Sequence, residues 1–412
     1  MKFINGKWFL FVILPILFLI SNCECKSTWL NNPRVLLSQD EIRSEIAIKT
    51  ARVNTFLDTQ GLQGILLTQV RNVYWMTAGI ANNQIVLNTD IGAASLLILR
   101  NGKKYLICKG SEAGRLMDES LGVLGYELAL FNWYEANPKK DVRDKIIADL
   151  AKGGVIGSDV NYPGTVLVSD EFAKLRFSLT DTEIKKYRWL GRETTEAVEQ
   201  VCRSLKREMN EFEIEFMTAK ALRSRGIVPG VLLIAVDDRI YKYRHALAGG
   251  AKLDKYAMVN VVAEKWGMSV AVTRFVHFGP LPEELASKLQ ATAKINTLFE
   301  VSTVPGKALC EIFDKCKIWY ADAGYEGEWQ IHHQGGSTGY KSRELAIYPG
   351  IEGIVQEKQA YAWNPTITGA KIEDTIIVFA NGFEVITKST DWPVIPITIS
   401  GKTYFQPDIL IR

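Results

Sequence analysis

The sequence predicts two domains in series, a mixed α/β unit followed by a larger α+β unit. Three observations carry that expectation. The chain has 412 residues, enough for two domains with substantial cores. Helical and strand-like patterns alternate over residues 41–175, whereas beyond residue 181 two helices are followed mostly by strands. Hydrophobic residues make up 47% and charged residues 23%, the balance of an ordinary globular protein. The net charge of +3 is spread without basic runs, so nucleic acid is not an implied partner.

The N-terminus stands apart. "MKFINGKWFLFVILPILFLISNCECKS" places Lys2 and Lys7 before an apolar run from Trp8 to Ile20. That run is short for a membrane span and suits a signal-peptide core, with an N-terminal membrane anchor as the alternative, and residues 1–25 are set aside from the fold. Two endings are open. "ISNC" resembles a bacterial lipobox and would lipidate Cys23, or cleavage after Cys25 would release the protein. Both make the mature chain secreted or periplasmic, with a membrane met only through the signal peptide or lipid anchor.

Residues 38–178 are expected to form the first domain. "EIRSEIAIKTARVNTFLDTQG" has helical spacing and stops at Gly61. "GILLTQV" reads as a buried strand, and "SLLILRNGKKYLIC" as two strands around a two-residue Asn101-Gly102 turn. Residues 181–400 are expected to form the second domain. Its first helix, about Asp181 to Arg207, aligns Ile184, Leu190, Ala197, Val201 and Leu205. Its second starts at Asn210, with Glu213 three residues on as a capping box. "KLQATAKINTLFEV" is a further helix, and "EDTIIVFANGFEVITK" a hairpin at Asn381-Gly382. Cys108, Cys202, Cys310 and Cys316 match no zinc spacing and read mainly as core residues.

One hairpin carries chemistry. In "YAMVNVVAEKWGMSVAVTRFVHFG", Tyr256 to Gly279, a four-residue loop at Glu264–Gly267 would set Asn260 directly opposite Ala271. An Asn inside an apolar strand is either wet on a sheet edge or buried and hydrogen-bonded, since leaving it unpaired costs about 1–3 kcal/mol.

Six stretches in order resemble the creatinase/aminopeptidase "pita-bread" proteins, the Xaa-Pro aminopeptidase and prolidase-like metallopeptidase family. They are "VYWMTAGI", "TEIKKYRWLGRETTEAV", "YRHALAGGAKLD", "AVTRF", "IHHQGG" and "KIEDTIIV". The resemblance implies a creatinase-like α/β N-terminal domain before a pita-bread α+β domain. It also implies two divalent metals at five ligand positions, which here carry Asn260, Ala271, His333, Asn364 and Glu373. Ala271 has no donor atom, and Asn260 and Asn364 offer only neutral oxygens. Two-metal aminopeptidase activity is therefore not expected, and no cofactor is assigned, although a single weakly held divalent ion on His333, Glu373 and His332 stays open.

The resemblance makes His245 a substrate-contacting imidazole, the acid and base in metal-free creatinase. His332 and His333 should face opposite ways if they lie on a strand, with His333 toward the pocket. The catalytic candidates are His245, His333 and Glu373, and the ligand-binding candidates are Asn260, Asn364, His332, Tyr340 and Arg274. Arg274 is also a candidate buried partner for Glu373 or Asp374, and His277 reads as structural. The expected function is binding of a small amide, guanidine or peptide ligand, with or without metal-free C–N hydrolysis. An inactive binding homologue and an active metallopeptidase are the alternatives. A homodimer is an expectation of the resemblance only.

Overall fold

The computed structural model describes residues 36–137 and 139–412. The signal-peptide reading over residues 1–25, Cys23 included, lies outside the described residues. Among the described residues no helix is long and apolar enough to cross a membrane.

Helix starts follow the local chemistry. The helices Gln39–Gln60, Asp181–Ser204 and Glu211–Arg223 each begin with a complete capping box, Ser38 with Glu41, Thr180 with Glu183 and Asn210 with Glu213. Each box satisfies two orphan backbone donors, worth about 1 kcal/mol per cap. The first helix ends at Gly61 in the left-handed conformation.

The first part is a six-stranded mixed sheet. Its order is Glu127–Phe131, Lys104–Lys109, Ile91–Leu99, Gly64–Gln69, Ile156–Ser158 and Val166–Leu167. The expected hairpin is present, but its loop has three residues: Leu99 N–H donates to Lys103 O across Arg100, Asn101 and Gly102, with Gly102 at φ 85°.

The second part holds two antiparallel-rich sheets that face one another. One runs Leu410–Ile411, Met268–His277, Tyr256–Lys265, Val228–Val236; the other runs Leu345–Ala346, Gly335–Thr338, Ala360–Trp363, Asp374–Phe379, Gly382–Val385. They are tied at the middle. The Thr375 hydroxyl accepts from Ala271 N–H at 2.8 Å and donates to Ala271 O at 3.0 Å, and Thr273 N–H donates to Glu373 O at 3.0 Å.

The register of the long hairpin differs from expectation. Lys265 pairs with Met268, so the turn is only Trp266-Gly267, with both residues at positive φ. That two-residue turn matches strand twist better than the four-residue loop expected. The pairing slides by two: Asn260 faces Thr273, and Ala271 faces Val262. A two-residue slip preserves the face, so Asn260 and Ala271 still point the same way. Gly267 is required where it sits, since a Cβ there would lie 2.5 Å from Tyr74 Cβ in the first part. The hairpin expected at Asn381-Gly382 also turns one residue early, at Ala380-Asn381.

A buried charge network joins the two parts. Lys49 Nζ lies 2.5 Å from Glu45 and 2.7 Å from Glu183, and Lys186 Nζ lies 2.9 Å from Glu45. Arg176 clasps Glu344 with two hydrogen bonds of 3.1 and 2.6 Å. The four described cysteines are free thiols.

Candidate functional site

The site forms where the two facing sheets meet. Glu373 precedes the strand Asp374–Phe379 and is 2% exposed. Its Oε2 accepts from the Asn260 amide, from Thr273 Oγ1 at 2.8 Å and from Lys371 Nζ at 3.2 Å. Its Oε1 accepts from Asn364 Nδ2 at 3.1 Å and Arg343 at 3.4 Å. Burial alone would raise this carboxyl, but Lys371 and then Arg343 reverse the effect and hold it down at about 2. It is an anion, with two protein cations and three neutral donors around it.

Asn260 reaches Glu373 because its strand is central, flanked by Val228–Val236 and Met268–His277. Of the two possibilities for Asn260, the buried and hydrogen-bonded one holds. Ala271 has no such company. Its methyl packs with Val262 and Ala362 in a small apolar cluster.

The histidines lie beside this network. His332 and His333 precede the strand Gly335–Thr338 rather than lying on it, so strand alternation does not apply. Their rings stack at 4.3 Å between centroids, and both face His245. His332 Nε2 is 3.0 Å from His245 Nε2. The expectation of opposite faces is thus corrected: both rings serve one face. Arg244 brings His245 there, since it pairs with Glu328 and donates to Thr368 Oγ1 at 2.9 Å. That contact ties the His245 loop to the turn Glu328–Gln330, just ahead of His332.

Burial first, then Lys371 and the neighbouring rings, hold His332 down at about 2. Partial desolvation by the surrounding protein first, then Arg343 and Lys371, hold His333 at about 4, although the residue itself is exposed. His245 is lowered by burial and then by Lys371. All three imidazoles are neutral at pH 7. Gly335 and Gly336 are fixed by packing: a Cβ would lie 2.2 Å from Ala362 O and 2.0 Å from Leu345 O.

Two expected ligand contacts lie elsewhere. Tyr340 belongs to the interface network, donating to Glu183 at 2.7 Å and accepting from Lys49 at 3.2 Å. Arg274 points away from Glu373, because successive strand residues alternate faces. It pairs with Asp374 at 3.2 Å and Glu199 at 3.1 Å. His277 bonds Gly279 O through Nδ1 at 3.0 Å.

Sequence reasoning missed Thr273, Arg343, Lys371, Arg244 and Glu328. Lys371 had a signal, two residues before Glu373 and so on its side of an extended segment. Arg343 had none, since it arrives from a distant loop. Among buried side-chain atoms, His332 Nδ1, Asn364 Oδ1 and Arg343 Nε have no hydrogen-bond partner.

No protein-family model matches the chain. An uncharacterised peptidase of Staphylococcus epidermidis is 27% identical over 123 residues, and the match spans 28% of this chain and only 35% of that relative. Another, of Staphylococcus aureus, is 23% identical over 358 residues, 82% of this chain and 98% of the relative. Among solved structures, a dipeptidase from Mycobacterium ulcerans aligns with TM-score 0.70 and 16% identity over 89% of this chain and 98% of that one. An Xaa-Pro dipeptidase from Bacillus anthracis aligns with TM-score 0.69 and 19% identity over 89% and 100%. The chain therefore has the pita-bread fold of the Xaa-Pro dipeptidases and prolidases, an α+β domain preceded by an α/β domain.

Proposed function

We propose that this chain is a peptidase-like protein that binds a small peptide or amide ligand at its histidine face and has lost the dinuclear metal centre. One observation carries the reading. Glu373 is the sole carboxylate at the five implied ligand positions, and both its oxygens are engaged by protein donors. Two divalent ions would need those oxygens, and further carboxylates to balance four positive charges. The donor set does not fit them, and Lys371 and Arg343 already neutralise the one carboxylate present.

What the residues offer instead is hydrogen bonding. Asn364 Oδ1 and Arg343 Nε are buried without a protein partner, an acceptor and a donor for a ligand that penetrates beside the histidines. His245, exposed and neutral, stands beside His332. That exposed neutral imidazole favours a second reading, a metal-free C–N hydrolase in the manner of creatinase with His245 as acid and base.

Calorimetric titration with Xaa-Pro dipeptides, simple amides and guanidines tests both readings. Binding without turnover supports the binding protein. Turnover that disappears in His245→Ala while binding remains supports the hydrolase. Hydrolysis that requires two bound divalent ions per chain contradicts the proposal. Export belongs to the same proposal and rests on residues 1–25 alone; cell fractionation checks it.

A further inference from the structure

We propose that His245, His332 and His333 form a mononuclear, all-imidazole site for a borderline divalent ion, Cu²⁺, Ni²⁺ or Zn²⁺. The site rests on the reading above, in which Glu373 is not a metal ligand. Only one of its three residues, His333, stands at a position where the family resemblance implies a metal ligand.

The geometry carries it. One nitrogen from each of the three rings lies within 4.8 Å of the other two. His332 Nε2 and His245 Nε2, 3.0 Å apart, need little adjustment. Two imidazole nitrogens bound at roughly 2.0–2.1 Å to one tetrahedral ion sit about 3.3 Å apart. The third ring has further to travel, and both His333 and His245 are exposed, which leaves them room to turn.

A second observation points to a ligand. His332 is 7% exposed, and its Nε2 faces the Nε2 of His245 at 3.0 Å with no carboxylate between them. Its Nδ1, which carries the ring proton when Nε2 coordinates, stays unpartnered in either state and neither favours nor opposes the ion. An ion held between the rings removes the strain of two facing Nε2 atoms, only one of which can carry the shared proton. His333 gives up one contact in return, the 3.2 Å bond that its Nδ1 accepts from Gly335 N–H. It loses that bond whichever nitrogen binds, because coordination through Nε2 puts the ring proton on Nδ1.

The chemistry of the donors selects the ion. Three neutral nitrogens with no carboxylate suit Cu²⁺, Ni²⁺ and Zn²⁺ and disfavour Mn²⁺, Mg²⁺ and Ca²⁺. Lys371 stands nearby, but its charge is met by Glu373 at 3.2 Å. By the general affinity order Cu²⁺ binds most tightly of the three.

The test is calorimetry on tag-free, chelator-stripped full chain titrated separately with Cu²⁺, Ni²⁺ and Zn²⁺, joined to the nitrogen hyperfine pattern of the Cu²⁺ form. The expected result is one ion per chain with imidazole nitrogen coupling, weakened at least about tenfold in His245→Ala and in His332→Ala, since even outer partners of a metal site cost that much. His245→Ala removes an exposed side chain and keeps the test valid if His332→Ala fails to fold. His277→Gln, at the one histidine outside the cluster, should leave the affinity within about twofold, as expected of a side chain that is not a ligand. No binding of any of the three ions overturns this site and leaves the proposed function standing. Binding that His245→Ala does not weaken also overturns it. Two ions per chain, lost in Asn260→Ala, would overturn both.

Discussion

Lys371 Nζ lies 3.2 Å from Glu373 Oε2, inside a network that also brings Arg343, Asn260, Thr273 and Asn364 onto the same carboxylate. The carboxylate and its two cations are buried together, so each depends on the others for charge balance.

Removing Lys371 should expose that dependence. Lys371→Met leaves Glu373 with Arg343 as its one remaining cation, and the carboxyl should move up from about 2. The expected loss is about 1–3 kcal/mol, less than for a fully orphaned charge because Arg343 and three neutral donors remain. Urea unfolding at pH 7 measures it. A double variant with Glu373→Gln should recover much of the loss.

Restoring a carboxylate at the second implied metal position should harm the protein. Ala271 is 2% exposed and packs against Val262 and Ala362. Ala271→Asp would bury a charge in an apolar cluster at a cost of about 3 kcal/mol or more. Ala271→Ser, small and able to find a backbone partner, should cost about 1 kcal/mol. The difference between the two melting curves checks the assignment.

Tyr340→Phe should separate the domain interface from the ligand site. The hydroxyl donates to buried Glu183 and accepts from Lys49, so its loss should cost about 1–3 kcal/mol. Ligand affinity should stay within about twofold, because Tyr340 touches none of the histidines.

Acid should unfold the protein through its histidines before its carboxylates. His332 is held at about 2 against 6.5 in the unfolded chain. A depressed folded pKa means the unfolded state binds more protons, so the stability is complete above about pH 6.5 and is lost as pH falls toward 2. At about 1.4 kcal/mol per pH unit, roughly 2–3 kcal/mol should be gone by about pH 4.5. Glu373, depressed from 4.5 to about 2, adds its own loss only below about pH 4.5. Denaturant midpoints between about pH 7 and 4.5 should fall less steeply in His332→Asn, which removes the titrating group.

How much of this was legible in the sequence depends on the range of the interaction. Capping boxes act over three residues, so Asn210 with Glu213 could be read directly and is found. The shared face of Asn260 and Ala271 was readable from strand alternation, but their exact pairing was not. It depends on Trp266 accepting a positive φ in a two-residue turn, which few sequences would advertise. The common face of His332 and His333 was hidden because the strand begins only at Gly335. Arg343 approaches Glu373 from 30 residues away, and Arg244 meets Glu328 across 84, which no local pattern encodes.

The central claim is that the five positions no longer hold two metals, and Mn²⁺ tests it most directly because that ion prefers the oxygen donors the centre would require. Chelator-stripped, tag-free protein would be titrated with Mn²⁺ while the free ion is followed by its paramagnetic resonance signal. The prediction is that free Mn²⁺ rises from the first addition, with no stoichiometric uptake. Tight uptake of two Mn²⁺ per chain, abolished by Glu373→Ala, would contradict it and return the protein to the metallopeptidases.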